Sequence, residues 1–498
     1  RGRLGRAARG QAADLPDEDD CEDEWTSGVI DSVVKIFVTS SSPSWVRPWT
    51  KQPQSSCSGS AFPISGRQLL TNSHIVRDAA VVRVRKRGDF RKYTARVERE
   101  CPTRDLAVLT VEAPGFWEGL EPLELVRALP RQQDPVAVVG FPGDSENVCV
   151  TRGVVSRVDM TWYTHEASLL AVQIDAAINS GNSGGPVLDD DGRCIGVAFE
   201  KCVGSDVDNV GYVIPTLVVQ QFLGDTGARG IGYAGFSFQP LESWAHRMAC
   251  GLPEGEERGV RVSSVDPASP AGGVLRPGDV VLRMRGVDVG YDGTVALAAG
   301  RRGSRGERVS LSYLASRCLA GDVCELEVWR GQESFTVALK LGSPGQLVPS
   351  TPSAPEYLLV GGLVFVPLTE PYLEDAFGSE WDREAPPYMV HLYDDGRRTA
   401  EGDQVVVLAH ALYAGNEGGE DDFESAVGGV LESFNGERVR NLRQLADAVE
   451  KEDGRWLTFG MANSGCAVVL DRSCVHQLRE EVMHVHQIGQ PYQFCDPE

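Results

Sequence analysis

The sequence predicts a mainly β protein, a double β-barrel followed by two smaller α+β domains. Two observations predict the barrels. Residues 25–223 read as short apolar runs, Val33-Val34-Lys35-Ile36-Phe37-Val38 first among them, separated by Gly and Pro turns such as Gly140-Phe141-Pro142-Gly143. Within that span, residues 77–104 hold ten basic and four acidic side chains, partly in alternation as in Val82-Arg83-Val84-Arg85. Alternation gives a hairpin one buried and one solvated face, so these charges are read as solvated rather than as an anion site. The third observation predicts the α+β domains: after residue 229, strand-like runs are joined by Gly turns and short helical segments, with a Pro-rich break near the middle.

The elements follow in order. Residues 1–13 carry Arg1, Arg3, Arg6 and Arg9, no acidic residue and no initiator Met, the expected look of a transit-peptide remnant or a truncated gene model. Asp14 to Glu24 holds eight acidic residues and no basic one, too little apolar surface to fold, so residues 1–24 are expected to form a disordered, solvated leader. The double barrel takes 25–223 and the first α+β domain 229–342. In that domain Ser269 suits a helix N-cap, Pro270 the first helical position, and Gly278-Asp279 the turn into Val280-Val281-Leu282. Four prolines between Gly342 and Glu356 make 343–355 a semi-rigid linker. The last domain, 356–475, contains strand, Asn435-Gly436 turn and strand, then a helix around Leu442 to Val449. Residues 476–498 are expected to be a C-terminal tail, with His484, His486 and Cys495 solvated rather than gathered on a metal.

Composition narrows the function classes. With 498 residues and 42% hydrophobic content the chain should hold about three domains with ordinary cores. No stretch approaches the roughly 20 apolar residues of a membrane span. A net charge of −23 argues against nucleic acid or anionic lipid as partner. No Gly-Lys-Ser/Thr loop is present to cradle phosphates, so work driven by a nucleotide is not expected. Twelve cysteines without a Cys-x-x-Cys pair point to reduced structural thiols, and only an oxidising compartment would bridge Cys194 to Cys202 across a predicted hairpin.

Chemistry concentrates in Asn179-Ser180-Gly181-Asn182-Ser183-Gly184-Gly185-Pro186, a serine framed by glycines after the apolar run Leu169 to Ile174. A serine hydroxyl needs a base and fixed donors for the oxyanion its attack creates. His74, in Thr71-Asn72-Ser73-His74, and Asp105, in Asp105-Leu106-Ala107-Val108-Leu109, each stand at the edge of a strand-like run. The order His, Asp, Ser is that of the chymotrypsin fold. In this arrangement His74 is the base, Asp105 orients it, Ser183 attacks, and the backbone N–H groups of Gly181 and Ser183 form the oxyanion hole. The residue six before the nucleophile, Ala177, is expected at the base of the specificity pocket, with Val197, Ala198 and Phe199 as its wall. All are uncharged, so small or medium aliphatic residues are expected before the cut bond, unless a shifted register brings Glu200 inside.

These segments, with Asp175 to Pro186 and Val360-Gly361-Gly362-Leu363-Val364-Phe365-Val366-Pro367-Leu368, resemble the Deg/HtrA serine proteases, most closely the plant and algal branch, from about Trp25 to Cys474. The resemblance implies a trypsin-like protease domain with two PDZ-like domains, unfolded or damaged proteins as substrates, and no metal or organic cofactor. It also implies a homo-trimer or hexamer built through the N-terminal segment, where Trp25, Trp45 and Trp49 are candidate interface residues. Tyr233-Ala234-Gly235-Phe236 stands where the family's PDZ domain holds a C-terminal carboxylate while the peptide adds a strand; no such loop is evident in the last domain. Relatives of this branch occur in chloroplast, mitochondrion or nucleus; the Arg-rich start favours an organelle, and the chloroplast is the expected one, with mitochondrion or nucleus as alternatives. Two alternatives remain at this stage: a chaperone or scaffold that binds misfolded chains and cleaves little, and a signalling scaffold that binds one C-terminal motif.

Overall fold

The computed structural model describes residues 24–143, 145–165, 167–199, 210–297, 307–413, 423, 425–462 and 466–495. The expected leader, apart from Glu24 at the start of a helix Glu24–Ser32, lies outside the described residues, as do Glu200 and Cys202. Strands β1 (Val34–Ser40), β2 (Ser55–Ile64), β3 (Gln68–Thr71), β4 (Ala79–Lys86), β5 (Tyr93–Cys101) and β6 (Leu106–Thr110) close a barrel in the order β1-β2-β3-β6-β5-β4. Strands β7 (Pro135–Gly140), β8 (Cys149–Thr164), β9 (Ala167–Ile174), β10 (Pro186–Leu188), β11 (Cys194–Phe199) and β12 (Gly211–Pro215) close a second, β10-β11-β12-β9-β8-β7. The alternation read in the sequence is present in β4, where Val82 and Val84 are buried and Arg83 is exposed. Arg104 is the exception among the basic residues of that stretch: it is 1% exposed.

The first α+β domain carries β13 (Phe236–Gln239), β14 (Val260–Val265), β15 (Val280–Met284), β16 (Val287–Asp288), β17 (Thr294–Ala296), β18 (Arg308–Ser310), β19 (Val323–Arg330) and β20 (Glu333–Lys340). Its main sheet runs β13-β14-β15-β19-β20, so β13 is an edge strand paired with β14 alone among the described residues. Ser269 does not cap a helix in this domain. A 3₁₀ turn, Pro270–Gly273, follows it, and its hydroxyl donates to the carbonyls of Asp266 (2.8 Å) and Gly235 (3.2 Å). That bond fixes the Tyr233-Ala234-Gly235 loop from behind. A Cβ on Gly235 would lie 2.2 Å from Ser269 Oγ, at a backbone φ of +73°.

The last domain contains β21 (Tyr357–Val360), β22 (Leu363–Pro367), β23 (Val406–Ala411), β24 (Val430–Phe434), β25 (Glu437–Arg438), β26 (Trp456–Met461), β27 (Ala467–Asp471) and β28 (Tyr492–Gln493). The Asn435-Gly436 turn joins β24 to β25, both residues at positive φ, and the following helix is Leu442–Lys451, capped by Asn441 Oδ1 on the Gln444 N–H.

Two expectations here are corrected. The segment after 475 is not a tail. It forms the helix Arg472–His486 and then β28, which pairs with β21. The helix is mostly polar, but Val475, Leu478 and Val482 recur at helical spacing and cover the domain core, with Val482 fully buried. Nor is the Pro-rich segment only a spacer, because Val348 within it is fully buried in the same core.

The third correction concerns Trp45 and Trp49. Both are half-buried against the last domain of their own chain, and the Trp49 ring meets Tyr357 edge-on at 5.6 Å between centroids. Asp375, in the helix Glu370–Phe377, anchors their loop by accepting from Ser44 Oγ (2.8 Å), Trp45 N–H (2.8 Å), Val46 N–H (3.1 Å) and Gln52 Nε2 (2.8 Å). No sequence signal linked residue 45 to residue 375.

Candidate active site

Three short loops, one after each of β3, β5 and β9, bring the sequence-predicted residues to the seam between the barrels. His74 sits in a single helical turn, Ser73–Val76, between β3 and β4. Asp105 follows the 3₁₀ turn Pro102–Arg104 and enters β6 in the left-handed conformation, φ 49°. That strained backbone is held on both sides: Asp105 N–H donates to Pro102 O (3.0 Å), and the buried Asn72 amide donates to Asp105 O (2.9 Å). The carboxylate then accepts from His74 N–H (2.9 Å), and its two oxygens lie 2.8 and 3.0 Å from His74 Nδ1. With the Nδ1 proton on the carboxylate side, Nε2 keeps its lone pair, as a general base requires. The imidazole is about half exposed, open to an incoming substrate.

Ser183 occupies the β9–β10 loop and is 4% exposed. Ser60 in β2 is fully buried and stitches this loop to the first barrel. Its N–H donates to Ser183 O (3.0 Å), its hydroxyl donates to Gly181 O (2.7 Å), and the same oxygen accepts from Phe141 N–H (2.9 Å). Gly184 lies so close to the first barrel that a Cβ there would be 2.2 Å from Ser60 O and 2.4 Å from Thr71 Oγ1. The neighbours of Ser183 therefore pack on the neighbours of His74. Ser180 O accepts from Gly143 N–H at 2.7 Å. A trans peptide points its C=O and N–H in opposite directions, so this bond turns the Gly181 N–H away from the 143 side.

The pocket expectation changes in detail. Ala177 is exposed, and its carbonyl accepts from Thr151 Oγ1 (2.9 Å). The next residue, Ile178, is half-buried over Gly211, where a Cβ would stand 2.8 Å from Ile178 Cδ1. Val197, Ala198 and Phe199 are buried side chains of the barrel core, because β11 lies between β10 and β12. Their strand meets the serine loop through backbone bonds, Gly184 N–H to Ala198 O and Ala198 N–H to Gly185 O, both 2.9 Å. Sequence reasoning also passed over Ser60, Asn72 and Gly143, whose work is done by contacts distant in the chain.

Two buried groups nearby are held neutral. Burial and then the Asp105 charge push the Tyr163 phenol up, and its hydroxyl donates to Leu170 O (2.7 Å). Burial pushes the Cys194 thiol up to about 12, and this thiol is free. Among the described residues no group of three His, Cys, Asp or Glu side chains is placed to hold a metal.

A carboxylate paired with an imidazole, and a glycine-framed serine loop packed at the same seam between two six-stranded barrels, with PDZ-like domains appended, define a trypsin-like serine endopeptidase. Sequence comparison agrees. A profile described as "Trypsin-like peptidase domain" matches residues 59–197, and one described as "PDZ domain" matches residues 348–493. The chain is 40% identical over 451 residues to "Protease Do-like 2, chloroplastic" of Arabidopsis thaliana, covering 88% of this chain and 71% of the relative. It is 34% identical over 469 residues to "Protease Do-like 4, mitochondrial" of the same plant, covering 92% and 84%. A solved structure titled "HtrA-type protease AlgW with tripeptide" aligns with 64% of this chain and 95% of its own at 27% identity and a TM-score of 0.48. The chain belongs to the Deg/HtrA family of serine proteases.

Proposed function

We propose that this endopeptidase degrades unfolded or damaged proteins without ATP, through an acyl-enzyme formed on Ser183. The observation that carries the mechanism is the bonding of Asp105 to both the ring and the backbone of His74, which selects one tautomer and one orientation. His74 takes the Ser183 proton as the hydroxyl attacks the peptide carbonyl, and the N–H groups of Gly181 and Ser183 receive the oxyanion. His74 then protonates the leaving amine, and water repeats the sequence on the ester. Asp105 stays ionised and stabilises the imidazolium.

Substrate delivery falls to the first PDZ domain. The outer edge of β13 follows the Tyr233-Ala234-Gly235-Phe236 loop and is open to an added strand among the described residues. In the last domain the equivalent strand after Val360-Gly361-Gly362 is β22, whose peptide side is already taken by β21, itself paired to β28. That domain acts as a cap rather than as a site for free C-termini. The half-buried Ile178 beside Ala177 supports small or medium aliphatic residues before the cut bond. Such residues are buried in folded proteins, so the preference selects unfolded chains.

The active form is a homo-trimer or hexamer, as in the family. Trp45 and Trp49 are half-buried against the last domain of their own chain and offer an interface only the remainder of their surface. Light scattering that returns only the monomer mass at micromolar concentration would refute assembly. We place the enzyme in the chloroplast, in keeping with the relative named "Protease Do-like 2, chloroplastic"; organelle fractionation that recovers it only elsewhere overturns that. The function itself is tested by digestion of unfolded casein with the wild type and with Ser183→Ala. Loss of cleavage in the variant supports it. Equal prevention of aggregation by both, without cleavage by either, marks a chaperone instead.

A further inference from the structure

The buried pair Arg104 and Asp225 joins the residue before Asp105 to the connection between the protease and the first PDZ domain. Arg104 is 1% exposed and Asp225 4%, with Nη1 3.4 Å from Oδ2. Arg104 Nη1 also lies 3.4 Å from Cys101 Sγ, while Nε and Nη2 have no partner among the described residues. Asp225 is therefore the countercharge of this guanidinium among the described residues. A buried cation that loses such a partner is strongly destabilised where it sits.

The far side of Asp225 is equally engaged. Its carboxylate accepts from Arg229 N–H (3.0 Å) and Gly230 N–H (3.2 Å). Those two residues are tied to the first PDZ domain by Arg229 Nη1 to Asp322 Oδ1 (2.8 Å), and by the next residues through Gly232 N–H to Cys318 O (2.9 Å). On the protease side Arg99 reaches the carbonyls of Leu223 and Asp225 at 3.4 Å and lies over the Phe222 ring. An unbroken set of bonds therefore runs from the PDZ domain, through the 225–230 turn, to the side chain beside Asp105.

We propose that Arg104 is a positioning residue for Asp105, and that Asp225 holds Arg104 only while the 225–230 turn is seated. The inference rests on the triad reading above. Asp105 has a strained left-handed backbone, and its orientation depends on its neighbours being held. Moving Arg104 rotates the carboxylate away from His74 Nδ1 without touching Ser183 or the substrate. Misplacement by about 1 Å costs on the order of 100-fold in rate.

The test is kcat and KM on unfolded casein for full-length Arg104→Met, Arg104→Lys, Asp225→Asn and the Arg104→Met/Asp225→Asn double variant, with thermal midpoints measured alongside. Arg104→Met and Asp225→Asn should each lower kcat roughly 10- to 100-fold per folded molecule with KM within about twofold, and Arg104→Lys should recover part of the loss. The double variant buries no unpaired charge, so it should fold better than Asp225→Asn yet stay as slow as either single variant. Recovery of wild-type kcat together with stability in the double variant, or losses that multiply, overturns the proposal. Wild-type cleavage that survives Ser183→Ala would instead show the triad reading to be wrong.

Discussion

Replacing Gly181 by Ala should disable the oxyanion loop while leaving the fold intact. A Cβ at 181 would lie 2.4 Å from Phe141 O, 2.7 Å from Gly143 N and 3.1 Å from Pro142 Cα, all in a segment that cannot rotate away as a side chain would. The φ of +97° adds roughly 1–2 kcal/mol of strain for any residue with a Cβ. Relieving the closest contact to an ordinary approach needs a backbone shift of about 1 Å, and the loop that must shift carries the proposed N–H donor. Loss of one oxyanion donor costs about 100- to 1000-fold in kcat, so Gly181→Ala is expected to lose that much with KM little changed. The control is Gly143→Ala: its φ is +56°, but no atom lies within 4 Å of the new Cβ, so it carries the backbone strain without the collision. It should lose stability of about 1 kcal/mol and keep most of its kcat. Steady-state hydrolysis of unfolded casein, normalised to folded protein by circular dichroism, reads both. Gly181→Ala within threefold of wild-type kcat, or a Gly143→Ala enzyme as slow as Gly181→Ala, would refute the reasoning.

Three further outcomes are expected. Asp375→Ala removes an acceptor shared by four donors and should release the 44–52 loop by roughly 2–3 kcal/mol; hydrogen exchange at the Trp45 and Val46 amides should speed up on the order of 100-fold, and unchanged protection would refute the anchor. Burial alone would raise the Asp403 carboxyl, but bonds from Thr399, Arg440 and the Ala400 N–H outweigh it and bring it from 3.8 down to about 2. A folded-state value below the unfolded one means stability present above about pH 4 and lost as pH falls towards 2, about 2 kcal/mol in all; urea unfolding should show a shallower acid loss in Asp403→Asn, and parallel curves would refute the assignment. Sequencing of casein products should find Val, Ala, Ile or Leu before the cut bond, and cuts mainly after Lys or Arg would show the pocket reading to be wrong.

Local chemistry carried far in this chain. Apolar runs punctuated by Gly and Pro mark the barrel strands because a strand's period and its turns are properties of neighbouring residues, and Asn435-Gly436 marks its hairpin for the same reason. His74, Asp105 and Ser183 could be proposed as a triad because each stands in a distinctive short motif and their order along the chain matches one known arrangement. The helix Arg472–His486 was read as a tail because nine of its fifteen residues are polar or charged, and Val475, Leu478 and Val482 outweigh them only once a core is there to meet them. Asp375 under Trp45, Ser60 behind Gly181 and Asp225 against Arg104 had no sequence signal at all. Each joins residues between 121 and 330 positions apart, a pairing that no local propensity encodes. Motif and order thus singled out the residues proposed to do the chemistry. Long-range packing, where buried polar groups must find partners wherever the fold brings them, decided how those residues are held.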